Sequence, residues 1–180
     1  MPIRRAVPAD ASAVAEIYAH YVRSTAITFA TEPPSPASYA ERIADGRFPF
    51  FVAEEGGMVS GFIYAAPFRQ KEAYRWDVEL TIYLAPGLEG RGMGGMLMNA
   101  CLQCLKEQGF LNAYSCITLP NDRSVGLHRR YGFTELGIFP KTGYKLGRWH
   151  DVIWMGKVLG NFDHAPAETK PVPATDDQDG

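Results

Sequence analysis

Between residues 77 and 108 the chain reads as strand, glycine-rich turn and helix, and no other stretch restricts the fold as tightly. In Asp77-Val-Glu-Leu-Thr-Ile-Tyr83, alternation sets Asp77, Glu79 and Thr81 on one face of a strand and Val78, Leu80 and Ile82 on the other. Over residues 92–108 the apolar positions Met93, Met96, Leu97, Ala100, Cys101, Cys104 and Leu105 recur at helical spacing, the buried stripe of an amphipathic helix. Glu89-Gly-Arg-Gly-Met-Gly-Gly95 joins the two. A strand that feeds a helix through glycines belongs to a chain that layers helices on a sheet.

The flanking segments extend this pattern. Residues 3–7 are a short strand, and Asp10 is placed to cap a helix carrying Val14, Ile17, Tyr18 and Tyr21. Ser35-Pro36 suits the cap and first turn of a second helix running to about Asp45. Residues 50–54 and 58–68 form a hairpin about Gly56-Gly57. Residues 114–119 are a strand, and 124–131 are a short helix stopped by Gly132. Residues 133–139 and 152–159 are closing strands. The order βααβββαβαββ predicts an α/β (α+β) domain with a mixed, mostly antiparallel sheet of about seven strands and helices on both faces.

The chain has 180 residues, room for one domain over 1–160 and a tail over 161–180. That tail holds three prolines and five acids against one lysine, and predicts a disordered or loosely docked segment. The formal charge of −2 gives no basic field to attract nucleic acid. No apolar run has the ~18–20 residues of a membrane span. Met1-Pro-Ile-Arg-Arg lacks the apolar core of a secretory signal. Cys101, Cys104 and Cys116 all fall in apolar segments and read as reduced core thiols of a cytoplasmic protein. The histidines lack metal-ligand spacing, so no metal is expected.

Glycines and a basic residue at a helix start can seat a phosphate, because unpaired amides and the helix dipole favour an anion. A plain turn without a ligand stays open at this point. Gly90, Gly92 and Gly95 spell the dinucleotide fingerprint, but the next strand ends without the acid that fold needs. The Gly-Lys-Ser/Thr of a P-loop is absent.

The loop also resembles the pyrophosphate loop of GNAT-type N-acetyltransferases, Gln/Arg-x-x-Gly-x-Gly/Ala, with Glu89 at the first position. A carboxylate cannot donate to a phosphate, so Arg91 and the amides of Gly90, Gly92, Met93, Gly94 and Gly95 would carry that role. Leu119-Pro-Asn-Asp-Arg-Ser through Gly132-Phe133 resembles the second signature of the superfamily. Ala73-Tyr-Arg-Trp-Asp-Val-Glu79, Leu127-His128 and Gly143-Tyr-Lys-Leu-Gly-Arg-Trp-His-Asp-Val152 narrow the likeness to the phosphinothricin/methionine sulfoximine N-acetyltransferases.

The resemblance, over roughly residues 2–159, implies acetyl-CoA as co-substrate and a small amino-acid analogue as acceptor. It implies a homodimer with no nucleic-acid or membrane partner. It implies that Ile82, Tyr83 and Leu84 hold the pantetheine arm, with Asn121 and Ser124 also on the cofactor. Glu79 becomes the general base. His128 stands where many relatives of the superfamily place a tyrosine, and would protonate the thiolate or orient the amine. Phe29, Arg69, Lys71, Tyr74 and Trp76 would bind the acceptor. Lys71 replaces an arginine common in the group, which removes a planar fork for a carboxylate or phosphinate. Tyr131 lies off the His128 face of its helix and is given no role. A protein N-terminus or other small amine as acceptor, or a non-catalytic acyl-CoA sensor, are the competing readings.

Overall fold

Gly56 and Gly57, both at positive φ, reverse the chain tightly and fix the first long hairpin. Around it a computed structural model describes residues 2–172. The elements are β1 (Ile3–Arg5), α1 (Ala11–Ser24), α2 (Pro36–Asp45), β2 (Phe50–Glu55), β3 (Met58–Pro67) and β4 (Asp77–Leu84). Then follow α3 (Met93–Gln108), β5 (Asn112–Thr118), α4 (Asp122–Arg130), β6 (Thr134–Lys145) and β7 (Arg148–Val158). The strands form one seven-stranded sheet, β1-β2-β3-β4-β5-β7-β6. Every neighbouring pair is antiparallel except β4 and β5. The order and the mixed sheet agree with the sequence.

The sheet has two apolar faces. Val14, Ile17 and Tyr21 of α1 and Tyr39 of α2 pack on Phe50, Val52 and Phe62. On the other face, Leu97, Met98, Cys101 and Leu105 of α3 and Val125 of α4 pack on Ile63, Val78, Leu80 and Ile117. Each large apolar side chain sunk here contributes about 1.5–3 kcal/mol. The alternation of β4 therefore sends Val78 and Leu80 under α3 and leaves Glu79 on the opposite face, where it is half-buried.

Four expectations need correction. Asp10 does not cap α1 with its side chain; its carboxylate takes the Arg4 guanidinium at 2.7 and 2.8 Å and the Val7 amide at 2.8 Å. The hydrogen bonds from Arg4, with that from the Val7 amide, hold this carboxyl below its ordinary range. The buried arc of α3 includes Met98 and Leu102, while Met96 is 36% exposed and borders a cavity with Ala100. The last two strands are longer than expected, because Pro140 and Gly143 sit in the edge strand β6, where register shifts accommodate them. Cys116 is exposed, unlike Cys101 and Cys104.

Residues 161–172 lie along the body without regular structure. The Trp76 indole N–H donates to the Ala167 carbonyl at 2.7 Å, and Gln108 donates to the Lys170 carbonyl at 2.9 Å. Residues 173–180 of the expected tail lie outside the described residues. Among the described residues, no helix is long and apolar enough to cross a membrane.

Candidate active site

β4 and β5 pair only from Asp77 opposite Asn112 to Glu79 opposite Tyr114. Past Glu79 the ladder stops, although β4 continues to Leu84 and β5 to Thr118. The split leaves backbone N–H and C=O groups of β4 facing a gap, where they need partners. The gap is a cavity of about 1090 Å3, with Ile82, Tyr83 and Leu84 on one wall and Asn121, Ser124 and Leu127 on another. Gly90, Gly92, Gly94 and Gly95 close its end. A smaller cavity of about 240 Å3 shares Ile82, Tyr83, Asn121 and Ser124 with it and is lined by Glu79, His128 and Phe29. The long space therefore leads past the strand split to a carboxylate.

The end wall suits an anion. Gly92 caps α3 with φ of 84°, a conformation that side chains rarely adopt. The amides of Met93 and Gly94 have no carbonyl one turn back, so they are free to donate. Gly95 has no room for a Cβ, which would come within 2.8 Å of the Tyr131 hydroxyl. Arg91 does not line the cavity; it turns to Glu55 at 3.1 Å. Met93 sends its side chain into the core and can contribute only its amide. Arg123 and Arg130 supply the cations instead. Arg123 also stands 3.7 Å from Glu89, which offsets the carboxylate at the first loop position. An elongated ligand with a phosphate-bearing end fits this donor set.

A profile of the acetyltransferase (GNAT) domain matches residues 3–154. The chain belongs to the GNAT acetyltransferase family. It is 41% identical over 173 residues to the phosphinothricin N-acetyltransferase of Streptomyces viridochromogenes, covering 94% of this chain and 92% of that relative. It is 33% identical over 159 residues to the L-methionine sulfoximine/L-methionine sulfone acetyltransferase of Salmonella typhimurium, covering 86% and 92%. A phosphinothricin acetyltransferase from Sinorhizobium meliloti, solved with acetyl-CoA, superposes with a TM-score of 0.88 at 36% identity, covering 93% of each chain.

In this acetyltransferase the smaller cavity brings together Glu79, His128 and Phe29, three residues expected from the sequence. Burial raises the Glu79 pKa above its ordinary 4.5, and the Arg69 charge opposes that rise. His128 is 1% exposed. Its Nδ1 lies 2.8 Å from the Ser124 carbonyl, which can only accept, so Nδ1 carries the proton. Nε2 then accepts from the Ser115 hydroxyl at 3.0 Å. Desolvation lowers the His128 pKa below 6.5, so the ring is neutral at pH 7. The sequence expectation of a titrating donor meets a neutral imidazole with both nitrogens engaged.

Asn121 caps α4 through Ser124 at 3.2 Å and borders both cavities. Arg69 stacks 4.1 Å over the Phe68 ring, within electrostatic range of Glu79. Arg69 lines neither cavity, and nor do Lys71, Tyr74 and Trp76. Tyr74 meets the edge of Phe68, and the Trp76 indole N–H is taken by Ala167. Lys71 is exposed, so sequence proximity to Glu79 brought none of these three to it.

Ser115, Cys116, Arg123, Arg130 and Tyr131 are site residues that sequence reasoning missed. Although Cys116 as a residue is exposed, desolvation of its thiol by the cavity wall pushes it up to about 11, helped by the Glu79 charge beside it. It is therefore a protonated wall and not a nucleophile at pH 7.

Arg69 gives a direct test of the field at Glu79. Because its charge favours the carboxylate, Arg69→Met raises the Glu79 pKa further. The acid limb of kcat/KM moves to higher pH in this variant, and activity is lost earlier as pH falls. An unmoved limb means that the limb does not report Glu79.

Proposed function

We propose that this chain transfers the acetyl group of acetyl-CoA to the α-amine of a small amino-acid analogue of the phosphinothricin or methionine sulfoximine/sulfone class. The observation that carries this reading is the meeting of the two cavities at the β4–β5 split, with Glu79 bordering the smaller one. The names of the relatives at 41% and 33% identity support the acceptor class.

Acetyl-CoA supplies an activated thioester: the amine nitrogen bonds to the acetyl carbon, the C–S bond breaks, and the CoA thiolate takes up the second proton that the nitrogen loses, leaving as free thiol. The backbone of Ile82, Tyr83 and Leu84 binds the pantetheine arm, and the α3 amides with Arg123 and Arg130 bind the phosphates. Glu79 removes the proton from the acceptor's ammonium, directly or through a water, so that a neutral amine attacks. Its raised pKa makes it a better base than a solvated carboxylate. The neutral, fully bonded His128 suits orienting the amine better than donating a proton from a charged ring. Phe29 covers the acceptor, and Arg69, outside the cavity lining, favours its carboxylate only through its field. The protonated Cys116 thiol supports direct transfer over an acetylated enzyme.

A cavity of about 240 Å3 fits an amino acid better than a peptide terminus, which needs an open groove. The second copy of a homodimer would cover the apolar side chains exposed on the edge hairpin β6–β7, Ile138, Phe139, Tyr144 and Trp149. The three free cysteines fit a reducing cytoplasm. Product mass spectrometry after incubation with acetyl-CoA and L-methionine sulfoximine tests the reaction. N-acetylation with equimolar free thiol supports it; thiol release without an acetylated amine refutes it.

A further inference from the structure

The roof of the smaller cavity is a loop, residues 25–30, that has no regular structure of its own. Ile27, Thr28 and Phe29 of this loop all border the cavity. Something outside the loop must hold them, because a free segment would pay ordering entropy at each binding event. Part of that hold is near: the Tyr18 and Thr28 hydroxyls share a hydrogen bond of 2.7 Å, and the Thr118 hydroxyl donates to the Ile27 carbonyl at 3.3 Å. The fastening of the Thr28 carbonyl comes from the far end of the sheet. Lys145, the last residue of β6, is only 9% exposed, and its ammonium donates to the Thr28 carbonyl at 2.7 Å. Its own carbonyl accepts from the His150 ring at 3.0 Å, which anchors the lysine backbone to β7.

Gly143 is the second fastening. A Cβ built on Gly143 would overlap three carbons along the edge of the Phe29 ring. Its φ is not in the left-handed region, so glycine is needed here for space and not for backbone freedom. The ring edge rests on bare backbone, and its other side faces the cavity.

We propose that Lys145 and Gly143 are positioning residues for the acceptor: the β6–β7 hairpin clamps the Thr28–Phe29 roof and thereby sets the acceptor cavity's shape. This rests on the acceptor reading given above, but the clamp itself is a statement about one loop. A buried ammonium on a single carbonyl is a costly way to add stability alone. It is an effective way to fix a carbonyl within a few tenths of an ångström, since charge-assisted bonds are short and strong. Neither residue lines the acetyl-CoA cavity, which meets this loop at Ile27 alone.

Lys145→Met keeps the stem and removes the donor. Two readouts are expected. Amide hydrogen exchange over residues 25–30 rises on the order of tenfold or more, with the exchange of α3 unchanged. The acceptor KM for L-methionine sulfoximine rises on the order of tenfold, while the acetyl-CoA KM stays within about twofold. Gly143→Ala pushes Phe29 into the cavity and raises the acceptor KM similarly, and Phe29→Leu in the same chain restores most of the loss. Unchanged exchange over 25–30, or a parallel rise of both KM values, overturns the clamp. The exchange measurement needs no acceptor. If the wild-type chain acetylates no amino-acid analogue, the acceptor reading falls while exchange still decides the clamp.

Discussion

Glu79→Gln lowers kcat by roughly 100-fold or more at pH 7, the scale of lost general-base catalysis. Glutamine keeps the size and the hydrogen bonding of the side chain but cannot take a proton. Glu79 sits where the β4–β5 ladder ends and borders the smaller cavity, so the substitution removes a base at the point of reaction and little packing. The wild-type acid limb lies above 4.5, because desolvation raises the pKa of this carboxyl. The variant has no such limb. Its deficit shrinks as pH rises, since solution then supplies more neutral amine. His128→Ala also slows turnover, without that rescue. A Glu79→Gln enzyme with near-normal kcat at pH 7 and intact acetyl-CoA binding would reduce Glu79 to a structural strand residue.

Gly92→Val raises the acetyl-CoA KM by about tenfold or more. Valine at φ of 84° is strained by ~1–3 kcal/mol, and tenfold in affinity corresponds to 1.4 kcal/mol. A Cβ at this position meets nothing within 4 Å, so the variant keeps its core and should fold. The harm falls on the α3 cap and on the approach of a phosphate to the free amides. The acceptor KM should change far less. An unchanged acetyl-CoA KM in a folded variant removes the phosphate seat from the α3 N-terminus.

The element order and the central strand were legible because they rest on local periodicity. Alternation in β4 separates Val78 and Leu80 from Glu79 whatever surrounds them, and the structure keeps that separation. The glycine turn was legible because positive φ and close approach demand glycine within a few residues.

What was not legible depends on contacts distant in sequence. Arg91 looked like the phosphate cation beside its own glycines, yet Glu55 from β2 takes it. Arg123 and Arg130, thirty or more residues downstream, line the cavity. Ser115 reads as a small strand residue, and only α4 packing on β5 brings it to His128. Trp76 reads as an acceptor residue until residue 167 takes its indole N–H. Tyr131 sits one residue past α4, off its helical register, and reaches Gly95 through that break. The stripe through Met96 and Ala100 was visible but ambiguous, since an apolar cavity wall and a core have the same pattern.

The central claim is that this GNAT enzyme acetylates the α-amine of a small amino-acid analogue at the cavity holding Glu79. Competition in one vessel tests it most directly. Limiting acetyl-CoA is offered to equal concentrations of L-phosphinothricin, L-methionine sulfoximine and a peptide with a free N-terminal alanine. The N-acetylated products are then counted by mass spectrometry. The account predicts that the acetyl label partitions to an amino-acid analogue over the peptide by on the order of 100-fold, and that Glu79→Gln abolishes the preferred product at pH 7. Preferential labelling of the peptide would contradict it.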